Sequence, residues 1–263
     1  MTYCLGIITR TGLVMAADSR TNAGVDYIST YQKLFDFSVP GERAIILSSA
    51  GNLAMTQEVL TLMQRDLKGQ AEISLHTLPN MYEIARYIGG KMRQVTDSNR
   101  QWLQQDQIDY QCTFLLGGQI RGEGHVLYLI YSQGNFLHAT PETPFLQIGE
   151  TKYGKPILDR TLNYEISATA AAKCALLSLD STMKSNISVG PPFSMVMYEA
   201  DSFLVKHRAE FVLGDPFLVK VRKFWETSLR QAFEAMPDIQ WHEKLEHPAP
   251  MDSPASESVR DDR

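Results

Sequence analysis

Apolar residues crowd the start of the chain. TYCLGIIT (2–9) is apolar and β-branched, RTG (10–12) has the chemistry of a tight turn, and LVMAAD (13–18) is apolar again. That pattern predicts a β-hairpin. A polar stretch, SRTNAGVDYIST (19–30), leads to Lys33 and a short strand, LFDFS (34–38). PGE (40–42) turns the chain into RAIILSSAG (43–51), whose near-continuous apolar run reads as a strand buried on both faces. The period then changes. Leu60, Met63 and Leu67 fall at helical spacing within 52–68, as do Met81, Ile84, Ile88 and Met92 within 78–94. Strand patterns return at 110–120, 125–134 and 144–150. A helix of small residues spans 166–183, with Ala168, Ala172, Ala175 and Leu179 along one side. Strands follow at 193–200 and 201–213. The last element is a helix over 215–236, with Asp215 as cap, Pro216 in its first turn, and Leu218, Val221, Trp225, Leu229 and Ala232 on its apolar face.

The order is strands, two helices, strands, two helices, strands, helix, with only 166–183 located in the second pair. Antiparallel hairpins with helices in batches predict an α+β fold of two sheets and two helical layers, not a βαβ alternation. No internal repeat is seen and no linker interrupts residues 1–245. EHPAPMDSPASESVRDDR (246–263) is rich in Pro, Ser and charge and reads as a disordered tail.

Composition narrows the classes. Of the 263 residues 44% are hydrophobic and 21% charged, ordinary for a soluble domain, and a net charge of −5 without a basic run argues against nucleic-acid binding. No apolar run reaches the length of a membrane helix, and the start lacks the layout of a signal peptide. Cys4, Cys112 and Cys174 show no C-x-x-C spacing and suit free thiols in a reducing cytoplasm.

The candidate chemistry lies in the first hairpin. A threonine hydroxyl needs a base to become a nucleophile, and an α-amine serves only when the threonine opens the chain. Thr2 does so once Met1 is removed. A lysine beside that amine lowers its pKa by like-charge repulsion, and an aspartate beside the lysine holds it. Lys33 and Asp18 are the candidates for those roles. Gly51, between a buried strand and a helix, offers a backbone N–H for an oxyanion and room for a substrate. Each is unremarkable alone: an Asp-Ser pair such as Asp18-Ser19 ordinarily marks a solvated turn.

Together, TYCLGIITRTGLVMAADSRTNAG, Lys33 and SSAGNLA resemble the start of a proteasome-type β subunit, an N-terminal-nucleophile hydrolase, and in particular the bacterial proteasome homologues called Anbu, relatives of HslV. The resemblance runs through roughly residues 2–240 in its order of elements. It implies a four-layer αββα sandwich and a threonine-type peptidase or amidohydrolase with Thr2 as nucleophile, Asp18 and Lys33 as supporting pair and Gly51 as oxyanion donor. It further implies self-assembly into a ring or open spiral, a peptide or amide substrate, and no cofactor or metal. Two positions depart from the family's pattern. Glu150 or Thr151 stands where a serine often follows a strand in G-S-G. The segment KSNIS after the helix offers Ser185 and Ser188 but no aspartate. With Ser19, Glu150, Ser185 and Ser188 are the supporting candidates. These departures leave room for a catalytically silent scaffold, and the same nucleophile would serve an acyl transferase.

Other motifs carry less. GETKYGKP (149–156) spells most of a phosphate-binding loop, but Pro156 stands where a hydroxyl should hold Mg²⁺, so any ATP-driven step would belong to a separate partner. The six histidines show no metal-ligand spacing. Cys4 shares Thr2's strand face but lies too far in to be an N-terminal nucleophile, and reads as a small buried residue. Met55, Met63, Met81 and Met92 would suit packing inside the chain or contacts between subunits.

Overall fold

β1 (Tyr3–Thr9) and β2 (Gly12–Asp18) form the expected hairpin, antiparallel with Cys4 opposite Ala17. The structure is a computed structural model that describes residues 2–22 and 28–241. β3 (Arg20–Asn22) and β4 (Ile28–Thr30) make a small ribbon, followed by β5 (Leu34–Asp36) and β6 (Arg43–Gly51). α1 (Leu53–Lys68) and α2 (Met81–Gln105) come next, then β7 (Cys112–Ile120), β8 (Val126–Ile130), β9 (Phe136–His138) and β10 (Phe145–Gly149). α3 (Lys155–Thr161), α4 (Ala168–Ser185), β11 (Phe193–Glu199), β12 (His207–Phe211) and α5 (Pro216–Glu234) complete the order. One antiparallel sheet runs β10-β1-β2-β11-β12 and the other β5-β6-β7-β8-β9.

Strand periodicity sorts the side chains into three apolar layers. On β1, Tyr3, Leu5 and Ile7 face Ala171, Ala175 and Leu179 of α4, while Cys4 and Ile8 face the second sheet through Ala44, Ile46 and Leu115. Ile45 and Leu47 of β6 point the other way, onto Met55, Val59 and Met63 of α1 and Ile84, Ile88 and Met92 of α2. The result is the αββα sandwich. All four helical methionines are buried in the last of these layers, which decides for packing inside the chain.

Some boundaries differ from the sequence expectation. α2 runs on to Gln105 instead of 94, because its polar second half keeps Val95 and Thr96 buried and Asn99 donates to Glu58 of α1. β12 begins at His207, not 201: Asp201 and Phe203 have φ of 62° and 49°, a turn rather than a strand. β9 is too short to show a period. α3 hides in the false phosphate loop, where Pro156 sits in the helix's first turn and Lys155 pairs with Asp159 at 2.6 Å. Asp215 caps α5 as expected, accepting from the N–H groups of Phe217 and Leu218. The expected apolar face of α5 is only partly buried: Leu218 is, Val221 and Trp225 are half-buried, and Leu229 and Ala232 are exposed.

The chain divides into two units, Met1–Phe224 and Trp225–Arg263. The layers above belong to the first. In the second, the described residues are the last turns of α5 and the segment to Trp241. The tail expected at 246–263 lies outside the described residues.

Candidate active site

The hairpin register builds the first part of the site. With Phe193 of β11 opposite Asp18 on one side and Cys4 opposite Ala17 on the other, the Asp18 carboxylate reaches back to the start of β1 and accepts the Tyr3 N–H at 2.9 Å. Its second oxygen accepts the Gly190 N–H at 3.3 Å, from the segment joining α4 to β11. Lys33 Nζ donates to Asp18 at 2.8 Å and to the Arg20 carbonyl at 2.6 Å. Lys33 is delivered by the approach to β5, where its own carbonyl accepts the Ser49 N–H at 3.1 Å.

Asp18 is 1% exposed and Lys33 6%. Burial pushes the Asp18 carboxyl above the ordinary carboxylate range, while the Lys33 ammonium and the Tyr3 and Gly190 N–H groups pull it back. Such a pair is held by its partners: removing one leaves a charge stranded out of water.

Thr2 is fixed through its backbone. Its carbonyl accepts the Glu150 N–H at 2.7 Å, just beyond β10. Gly149 permits this approach, for its φ is +82° and a Cβ there would sit 2.0 Å from the Thr2 oxygen. Thr2 and Cys4 have the same parity on the strand, so Thr2 belongs to the side facing the second sheet. There it lines a cavity of about 430 Å³ with Lys33 and Gly51. Gly51, at φ +111°, ends β6 where a Cβ would strike the Gln111 carbonyl at 2.3 Å. The remaining walls include Thr21, Gln32, Gln57, Thr61 and Gln64, and among the described residues Lys33 is the one charged side chain lining it.

Of the supporting candidates, Ser19 is buried, its hydroxyl donating to the Pro192 carbonyl at 2.6 Å. The Asp18-Ser19 pair is therefore not the solvated turn that such a pair ordinarily marks. Glu150 is 5% exposed, its carboxylate accepting from the Lys152 N–H and the Asn186 side chain, both at 3.0 Å. Ser185 is exposed at the end of α4, and Ser188 is half-buried with its N–H on Asn186 Oδ1. Neither serine lines the Thr2 cavity. Thr151 is exposed.

Sequence reasoning missed the groups that complete the constellation: the Gly190 N–H, the Arg20 carbonyl and the Asn186 carboxamide. The first two are backbone atoms without a sequence signal. Asn186 was legible in KSNIS to a search for any hydrogen-bonding side chain rather than for a carboxylate. Cys4 is fully buried, its thiol pushed up to about 12 chiefly by burial, and its Sγ donates to the Ser49 carbonyl at 3.4 Å. His76 and His125 meet backbone carbonyls, and no metal-binding cluster occurs among the described residues.

Comparison with known proteins follows this geometry. A family model, Proteasome, described as a proteasome subunit, matches residues 2–197. The chain belongs to the proteasome subunit family. Among solved structures, Anbu (ancestral beta-subunit) from Yersinia bercovieri is 43% identical, with 91% of this chain and 99% of that one covered and a TM-score of 0.86. An Anbu (Gly-1) mutant from Hyphomicrobium sp. strain MC1 is also 43% identical, with 92% and 100% covered and a TM-score of 0.86. The helical assembly of the Anbu complex from Pseudomonas aeruginosa gives 42% identity, 90% and 98% coverage and a TM-score of 0.86. No curated protein matches the chain. In this proteasome-type subunit, no described helix is long and apolar enough to cross a membrane.

Proposed function

We propose that the protein is a cytoplasmic N-terminal-threonine hydrolase of peptide or amide bonds, working within an assembly of its own copies. The observation that carries this reading is that Thr2, Lys33 and Gly51 line one cavity while Asp18 pins Lys33 from behind.

After loss of Met1, the Thr2 amine takes the proton from Oγ as Oγ attacks the substrate carbonyl carbon. The carbonyl oxygen becomes an oxyanion and is met by the Gly51 N–H. The amine passes its proton to the leaving nitrogen, the C–N bond breaks, and an ester on Thr2 remains. Water, deprotonated by the same amine, attacks that ester and frees Thr2. The Lys33 charge keeps the amine's pKa low enough to act as a base near neutrality. Apart from Lys33, the described residues of the cavity wall are uncharged, which suits a substrate side chain without charge. The Pseudomonas relative's helical assembly supports self-assembly.

A threonine-directed covalent inhibitor tests the reading. One adduct per chain is expected, mapped to Thr2, and none in Thr2→Ala. Labelling that persists in Thr2→Ala would reject the site. A second reading, a silent scaffold that keeps the fold, is favoured by Glu150 and by the lack of an aspartate after α4. Its mark would be Met1 retained in the intact mass of the native protein.

A further inference from the structure

The two positions at which the sequence departs from the family's pattern meet in space. Asn186 caps α4, its own N–H donating to the Thr182 carbonyl at 2.8 Å, and its side chain donates to Glu150 Oε2 at 3.0 Å. Its carbonyl oxygen Oδ1 is used by the Ser188 N–H at 3.0 Å, which fixes the carboxamide's orientation. The other Glu150 oxygen accepts the Lys152 N–H at 3.0 Å. Both oxygens are thus held by uncharged donors in a site 5% exposed to solvent. Among the described residues Glu150 forms no ion pair. Its own N–H is the group that holds the Thr2 carbonyl.

A buried carboxylate without a cation is costly, and an opposite charge brought beside it offsets that cost. Removal of Met1 creates such a charge on the residue to which Glu150 is already bonded. We infer that Glu150 is the counter-ion of the Thr2 α-ammonium, held in place by Asn186, and that the missing aspartate's charge is supplied from the β10 side instead.

The inference rests on the reading of Thr2 as a trimmed N-terminal residue. Around that amine, β2 contributes Asp18 and the approach to β5 contributes Lys33, which offset one another. β1 contributes Tyr3 and Cys4, both pushed up to about 12 by burial and so neutral. The turn after β10 contributes Glu150 and Lys152, the last turn of α4 carries Lys184, and residues 186–190 contribute no titratable side chain. Glu150 is a positioning residue: it favours the protonated amine and places the acid limb of activity higher than Lys33 alone would allow.

The test begins with intact mass. Retained Met1 would remove the ammonium and overturn both this inference and the function on which it rests. On the trimmed protein, trace acetylation of the Thr2 α-amine across pH, read by peptide mass spectrometry, reports its pKa independently of catalysis. In Glu150→Gln that midpoint, and with it the acid limb of kcat/KM, is expected to fall by about one pH unit. Glu150→Asp should hold it near the parent value, and Glu150→Gln with Asn186→Asp, which moves the charge across the pair, should restore it. A Glu150→Gln midpoint equal to the parent's, whether or not Tm falls, would reduce Glu150 to a structural role. An unchanged labelling midpoint with a moved acid limb would instead show that the amine is not the base, which overturns the mechanism rather than the pairing alone.

Discussion

The space between the two sheets has two ends, both furnished with buried polar side chains. Where β2 begins, Gln119 is 1% exposed and its amide is fully used: Nε2 donates to the Glu123 carbonyl and to Asp201 Oδ1, and Oε1 accepts the Tyr198 hydroxyl and the Asp201 N–H. Where β2 finishes, Lys33 meets Asp18 and the Arg20 carbonyl, but an ammonium has three N–H donors and the third has no partner among the described residues. The first end is saturated and holds the sheets together. The second leaves hydrogen-bonding capacity beside an open cavity. Burial and polarity are common to both, so the difference between a brace and a candidate reactive site is the count of unused donors.

Mutations sharpen that contrast. Lys33→Ala should have the largest effect, since it strands Asp18: a stability loss of about 3–5 kcal/mol is expected for a broken buried pair, with hydrolysis at background. Denaturant titration alongside turnover of a fluorogenic peptide measures both. A Lys33→Ala protein that still turned over at the parent rate would erase the distinction between the ends. Gly149→Ala comes next. Its Cβ has no room beside the Thr2 carbonyl, so Thr2 must shift and kcat should fall strongly with a smaller loss of Tm. Equal loss of both would mean that Gly149 serves folding alone.

At the saturated end, Gln119→Ala should cost about 1–3 kcal/mol through the partners it leaves unpaired, with kcat/KM unchanged. A catalytic defect there would show that the two ends communicate. The smallest effect concerns the thiols between the layers. Burial raises Cys4 to about 12 and Cys112 to about 11, so both remain protonated thiols at pH 8. Alkylation of the native protein at that pH is expected to leave both unmodified, and unfolding should expose them. Ready modification of native Cys4 would mean that the interior is open to reagent.

Much of the fold was legible because its signals are periodic. The nine residues 43–51 read as a doubly buried strand and form β6. The four helical methionines fit a 3.6-residue spacing, although only the packing shows that they face the sheet. What escaped was short or non-periodic: β9 and α3, the polar second half of α2, and the turn before β12. The site divides in the same way. Asp18, Lys33 and Gly51 stood out through their order after Thr2. Gly190, the Arg20 carbonyl and Asn186 did not, because two act through the backbone and the third reaches Glu150 across a separation that no local pattern spans. Ser185 and Ser188 were attractive as residue types, yet the chain turns them away from the Thr2 cavity.

The Asp18–Tyr3 hydrogen bond ties the opening of the chain to the carboxylate that anchors Lys33. A copy whose hairpin has not yet zipped therefore lacks the bond that sets the start of β1 against the anchor of Lys33. On the function proposed above, the nucleophile would be armed only once that hairpin has closed, so a half-made copy would need no separate safety catch.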